Sequence, residues 1–264
     1  MWNEEQHQEK LFKLSQSVDL FHQGHSPNQI AKILHTDPQS VRNHLRQYGY
    51  TDMNIDNGLH VDIFKDIDIA DKAYWLGFLF ADGYIRENSV ELALKDKEHI
   101  EKFKTFINSR CKISEKHVYL KTTQKEYIAY RLNLRNKEFA SYLYKTGLHQ
   151  AKSLDVVYPE CVPETLTYDF VRGYFDGNGC ISFLGNNPLK PVITINSTYE
   201  FLSTIINKMG LPNNKIRQVS KIYEYRMAKL TAIIDFLNKI YSNAETYLER
   251  KYDKYQMICR ASSN

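Results

Sequence analysis

The stretch WLGFLFADG, Trp75–Gly83, returns 96 positions later as VRGYFDGNG, Val171–Gly179. In each copy small residues stand four apart, Gly77 with Ala81 and Gly173 with Gly177, and positions i and i+4 share a helix face. Their neighbours, including Trp75, Phe78, Phe170 and Tyr174, are large and apolar. A bare stripe between bulky flanks lets two helix backbones approach closely. The pattern predicts a central, pseudo-two-fold pair of helices.

The surroundings repeat as well. After the first helix come a strand pair over residues 84–95, a helix over 96–109, strands near 116–121 and 126–135, and a helix over 137–146. After the second come strands near 180–184 and 190–196, a helix over 198–209, strands near 215–221 and 223–229, and helices over 231–241 and 244–258. Tyr130-Arg131 returns as Tyr225-Arg226 at an offset of 95, and Gly83 as Gly179 at 96. Matched order with matched spacing marks an internal duplication. The fold class is α+β, with repeats over residues 70–152 and 153–264.

Ahead of the duplication, residues 1–50 read as all-α. Ser26-Pro27 and Asp37-Pro38 are cap-plus-proline starts, each opening a short helix, and two such helices joined by a tight turn form a helix-turn-helix pattern. The second, residues 38–47, would be the recognition helix, with Gln39, Ser40, Arg42, Asn43 and Arg46 on its polar face. Residues 51–69 read as an acidic linker with a turn at Asn57-Gly58.

Charge is unevenly spread. Residues 1–50 are balanced, residues 51–71 carry −5, and the whole chain carries +4, which leaves +9 on residues 72–264. A basic, tyrosine-rich core suits a polyanion. The four cysteines are far apart and lack ligand spacing, so they read as reduced thiols. MWNEEQHQEK is too polar for a signal peptide, and no apolar run reaches membrane-spanning length. A cytoplasmic protein of a bacterial or phage-infected cell is expected.

Asp82 ends the first opening helix, where the helix dipole disfavours a carboxylate. An acid held there beside a second helix end calls for a cation. Mg²⁺, bound through few carboxylates plus phosphate, is the candidate, and it serves phosphodiester hydrolysis.

With these residues in view, the chain resembles the LAGLIDADG homing endonuclease family in its two-motif form, over about residues 70–260. The resemblance implies two αββαββα repeats forming a saddle-shaped sheet over the major groove of double-stranded DNA. It also implies metal ligands at the end of each motif, which map to Asp82 and Asn178 with the adjoining Gly83 and Gly179. A basic residue near each centre is implied too, and Lys152 and Lys251, 70 and 73 positions after Asp82 and Asn178, are the preferred pair to polarise phosphate and water.

Asn178 departs from the family pattern, because a neutral amide touches a metal without neutralising it. Asp176 does not replace it, pointing about 200° away on the helix. One-strand nicking, slow cutting of both strands, and loss of cutting all stay open.

A sheet over a groove reads bases with alternate residues. Tyr127, Arg131, Asn133 and Arg135 would face DNA, opposite Ile128, Tyr130, Leu132 and Leu134. Lys190, Thr194 and Asn196 would do so in the second copy, with Arg86, Arg217, Lys221 and Arg226 adding charge. The expected function is metal-dependent cleavage at a long asymmetric site by a monomer. The alternative is a catalytically inactive regulator of the same ancestry, and RNA binding is the least favoured reading.

Overall fold

The computed structural model describes residues 4–23, 25–50, 58–120, 124–150 and 152–263. The N-terminal part contains α1 (Glu4–Ser15), α2 (Ser17–His22), α3 (Pro27–Ile33) and α4 (Pro38–Gln47). Both cap readings hold. Ser26 forms a reciprocal capping box with Gln29, and Asp37 accepts the Ser40 N–H at 2.7 Å. Phe21, Ile30, Val41 and Leu45 build a small core of their own. Gln39, Asn43 and Arg46 are exposed on α4, while Ser40 and Arg42 are half-buried.

Each repeat follows the αββαββα order. The first runs α5 (Ala70–Asp82), β1 (Gly83–Arg86), β2 (Ser89–Leu94), α6 (Lys97–Phe106), β3 (Ser114–Leu120), β4 (Lys125–Leu134) and α7 (Lys137–Lys145). The second runs α8 (Thr167–Asn178), β5 (Gly179–Phe183), β6 (Pro191–Ser197), α9 (Tyr199–Met209), β7 (Arg217–Val219), β8 (Ile222–Met227) and α10 (Leu230–Tyr241), and α11 (Glu249–Ser262) closes the chain. Among the described residues there are two antiparallel four-stranded sheets, ordered β1-β2-β4-β3 and β5-β6-β8-β7. The expected match of Tyr130-Arg131 with Tyr225-Arg226 fails by two residues. Gly83 faces Leu92, which faces Leu132, while Gly179 faces Ile195, which faces Tyr225. The buried Tyr225 thus takes the place of Leu132, and Arg226 that of Asn133.

The structure departs from the sequence reading in three further places. Residues 51–57, with the Asn57 half of the expected turn, lie outside the described residues, as does Gly24. Beyond them the stretch read as linker is packed, because Leu59, Phe64 and Ile67 sit in the main core. Its acids Asp62, Asp66 and Asp68 stay on the outside. The apolar face of β4 also stops short. Leu132 and Leu134 are buried but Ile128 is 39% exposed, since β2 ends at the partner of Tyr130 and residues 125–129 pair with β3 alone. Finally, α11 starts at Glu249 rather than near residue 244.

Candidate functional site

The two opening helices touch through their glycines. A Cβ on Gly77 would fall on the Phe170 carbonyl and 2.9 Å from Tyr174 N, and one on Gly173 would fall on the Tyr74 carbonyl and 2.9 Å from Phe78 N. The contact is backbone to backbone, as the small-residue stripes predict. It brings both C-termini to one spot: Asp82 Oδ2 lies 3.4 Å from where a Cβ on Gly177 would be.

The two ends differ chemically. Asn178 donates its Nδ2 to the Tyr174 hydroxyl at 3.2 Å, and that hydroxyl lies 2.7 Å from Ser197 Oγ and 3.2 Å from the Asn196 carbonyl. The first-copy counterpart of Tyr174 is Phe78, which has no hydroxyl. Tyr174 and Asn178, four apart on one helix face, thus form a neutral hydrogen-bonded unit that the first copy lacks. It borders a pocket of about 180 Å³ that Lys152, Val156 and Ser197 also line. Asp82 keeps access to solvent, yet the packed ends around it strip water from its carboxyl and raise its pKa, against Lys251 and Lys152.

Both expected lysines are present, and both are buried. Lys152 donates to the Gly83 carbonyl. Lys251 donates to the Phe175 carbonyl and, at 2.7 Å, to that of Asp176. Ammonium groups suit helix C-termini, whose last carbonyls lack partners. Burial brings Lys152 down to about 8, opposed by Asp82, and Lys251 to about 8, opposed mainly by Asp176.

A shared Mg²⁺ centre would draw on carboxylates of both copies. The residues present do not fit one. Asp82 supplies one acid, Asn178 supplies an amide whose NH₂ is already engaged, and lysine ammoniums occupy carbonyls at both helix ends, Gly83 among them. Among the described residues no group of three or more His, Cys, Asp or Glu is placed to hold a metal ion.

Asp176 has a different task. It is fully buried and accepts from Tyr74 at 2.8 Å, Tyr241 at 2.5 Å and the Leu248 N–H at 2.8 Å. Burial raises its carboxyl, with Lys251 the chief opposing influence. Tyr74 continues the chain to His99 Nε2 at 3.0 Å. Arg172 ties α8 to the Thr246 and Ile240 carbonyls at 2.9 and 3.1 Å and pairs with Asp169 at 2.8 Å. This network joins α5, α6, α8, α10 and the start of α11. Sequence reading excluded Asp176 as a metal ligand but did not foresee its partners, which lie on other elements.

On the sheets, Arg131 and Asn133 are half-buried and Arg135 exposed, on the face opposite Leu132 and Leu134. Thr194 and Asn196 alternate with buried Ile193 and Ile195, and Arg226 is exposed beside Thr194. Tyr127 lies under the Lys95 ammonium, 4.0 Å from its ring centre. Arg86, Arg217 and Lys221 are exposed, and Lys190 is exposed in the β5–β6 turn. Two members of this face escaped the sequence reading: Lys116, opposite Ala129, and Glu91, which bonds Arg131 at 2.6 Å.

A duplicated αββαββα unit with two glycine-striped helices at its centre defines the two-repeat LAGLIDADG fold. The model of the WhiA LAGLIDADG-like domain matches residues 71–137 and 167–254, and the chain belongs to that family. This refines the expectation drawn from homing endonucleases, with which the fold is shared. The homing endonuclease I-WcaI bound to its DNA recognition sequence is 13% identical, with 74% of this chain and 90% of that one covered at a TM-score of 0.52. The N-terminal LAGLIDADG domain of DUF199/WhiA is 14% identical, covering 75% and 96% at 0.44. Meganuclease I-SmaMI bound to uncleaveable DNA is 14% identical, covering 71% and 88% at 0.48. A comparison with curated protein sequences finds no match. No helix among the described residues is long and apolar enough to cross a membrane.

Proposed function

We propose that this chain is a site-specific double-stranded DNA-binding protein, built on a nuclease scaffold, that does not cut both strands. One observation carries the second half of that reading: the position where the second copy should offer an acid holds Asn178, tied by its amide to Tyr174. The first half is supported by a +9 balance on residues 72–264, by Arg and Asn side chains alternating on both outer sheet faces, and by an N-terminal helix pair capped as a helix-turn-helix. Both repeats lie in one chain, so a monomer reads a long asymmetric site. The partner is duplex DNA rather than RNA, met in the cytoplasm of a bacterial or phage-infected cell.

A second reading rests on Asp82, the acid that persists. Asp82 would be the one acid able to hold a cation there, with the ammoniums of Lys152 and Lys251 near it, and this reading expects nicking of one strand. Selection of bound DNA from a random pool, followed by incubation of supercoiled plasmid carrying the winner with Mg²⁺, tests both. Tight binding without linear product is expected. Linear plasmid would overturn the proposal, and nicked circles that vanish in Asp82→Asn would establish the second reading.

A further inference from the structure

Arg131 and Arg226 both lie on the outer sheet faces, opposite Ala93 and Thr194. They sit at different registers, since Gly83 faces Leu92 and Gly179 faces Ile195, so that Arg226 takes the place of Asn133. Their surroundings differ. Two residues before Ala93, on the same strand face, stands Glu91, whose carboxylate holds Arg131 Nη2 at 2.6 Å. Two residues before Thr194 stands Val192, which is buried and has no acceptor. The Nε of Arg131 is buried, which leaves its terminal nitrogens to make its contacts. Arg226 is exposed and, among the described residues, enters no ion pair.

We infer that Glu91 makes Arg131 a fixed reader of one guanine in the half-site under the first repeat, while Arg226 holds phosphate without base preference. This deepens the DNA-binding reading and rests on it. The chemistry is specific. A guanidinium fork matches guanine O6 and N7 when two donors are presented in plane, and a carboxylate on a third donor fixes that plane in advance, so less freedom is lost on binding. The Glu91–Arg131 pair is also neutral as a unit, and neutral groups release few counterions from DNA. Such a pair serves recognition better than bulk attraction. An exposed Arg226 outside any ion pair among the described residues has the opposite character.

The test uses the full chain and selection from a random duplex pool, with wild type, Glu91→Gln, Arg131→Lys and Arg226→Ala compared at several salt concentrations. Wild type should prefer guanine at one position by about tenfold or more. Glu91→Gln and Arg131→Lys should each cut that preference to about threefold or less, leaving other positions alone. Arg226→Ala should weaken every sequence alike and lower the salt slope by about one. Arg131→Lys keeps the charge, and a melting curve confirms that each variant is folded. An unchanged selected sequence in Glu91→Gln, or a base preference lost in Arg226→Ala, overturns this inference alone. A wild-type chain that selects no sequence overturns it together with the DNA-binding reading.

Discussion

His99 and Phe201 stand at the same place, third after the N-cap of α6 and α9, and each packs on its motif ring, His99 on Phe78 at 4.6 Å and Phe201 on Tyr174 at 4.2 Å. Burial, with Lys102, Arg250 and Lys251 adding to it, drives the His99 imidazole down to about 3. The unfolded chain takes up that proton near pH 6.5, well before the folded one, so the stabilisation present above pH 6.5 is lost as pH falls from there towards 3. Unfolding in urea should show about 2 kcal/mol of loss between pH 6.5 and 5. His99→Phe, the residue the second repeat already uses, should flatten that segment, and a variant as acid-sensitive as wild type would refute the assignment. Asn178 invites a separate test. Asn178→Asp places a second carboxylate beside Asp82, and like charges at close range disfavour one another. In chelator the variant should melt below wild type. Added Mg²⁺ should then raise its midpoint by several degrees, with a shift of about 1 °C or less in wild type. Equal responses in both proteins would show that residue 178 does not govern cation binding.

The helix pair was legible because glycine and alanine four apart amid Trp, Phe and Tyr suit little besides close backbone packing, and the repeat made the reading twice. At Gly77 and Gly173 a methyl group would meet backbone, which cannot swing aside. Gly173→Ala should therefore cost about 3 kcal/mol or more, seen as a drop of about 6–12 °C in the melting midpoint, and the double variant with Gly77→Ala should cost less than the sum. The polar network behind the pair was not legible. Asp176, His99 and Arg172 carry no sign in sequence of what they bond, and Lys251 reads as a partner of phosphate and water rather than of the Phe175 and Asp176 carbonyls it meets. Their partners stand on other elements, Tyr74 being 102 positions from Asp176 and Leu248 72. Tyr174 carried a signal that could have been found, since its difference from Phe78 accompanies the difference between Asp82 and Asn178 one turn on. Asp176→Ala would strand two hydroxyls and an N–H and would take from the Lys251 ammonium, which keeps its backbone carbonyls, its chief counter-charge, and a loss of about 3–5 kcal/mol is expected. A change within about 0.5 kcal/mol would mean the network contributes little.

At the scale of the whole chain, charge and caps announced two units, and the structure gives each its own apolar core. The boundary was harder to see. Six aspartates between residues 51 and 71 hid the wider spacing of Leu59, Phe64 and Ile67, which anchor that segment to the larger core. Single DNA-facing residues were also less legible than the face itself, because strand alternation says which side a residue takes but not what it pairs with, as Glu91 and Arg131 show. The helix-turn-helix offers two arginines, Arg42 and Arg46, from a segment of zero net charge, so its contribution to affinity comes from placed side chains rather than bulk attraction. If it reads the same duplex as the sheets, removing residues 1–50 should lower the slope of log affinity against log salt by about 2, near 0.9 for each phosphate no longer neutralised. The nuclease-protection footprint should shorten from one end, and the half-site preference set by Arg131 should survive. A footprint of unchanged length with an unchanged slope would mean that the helix-turn-helix engages a different partner.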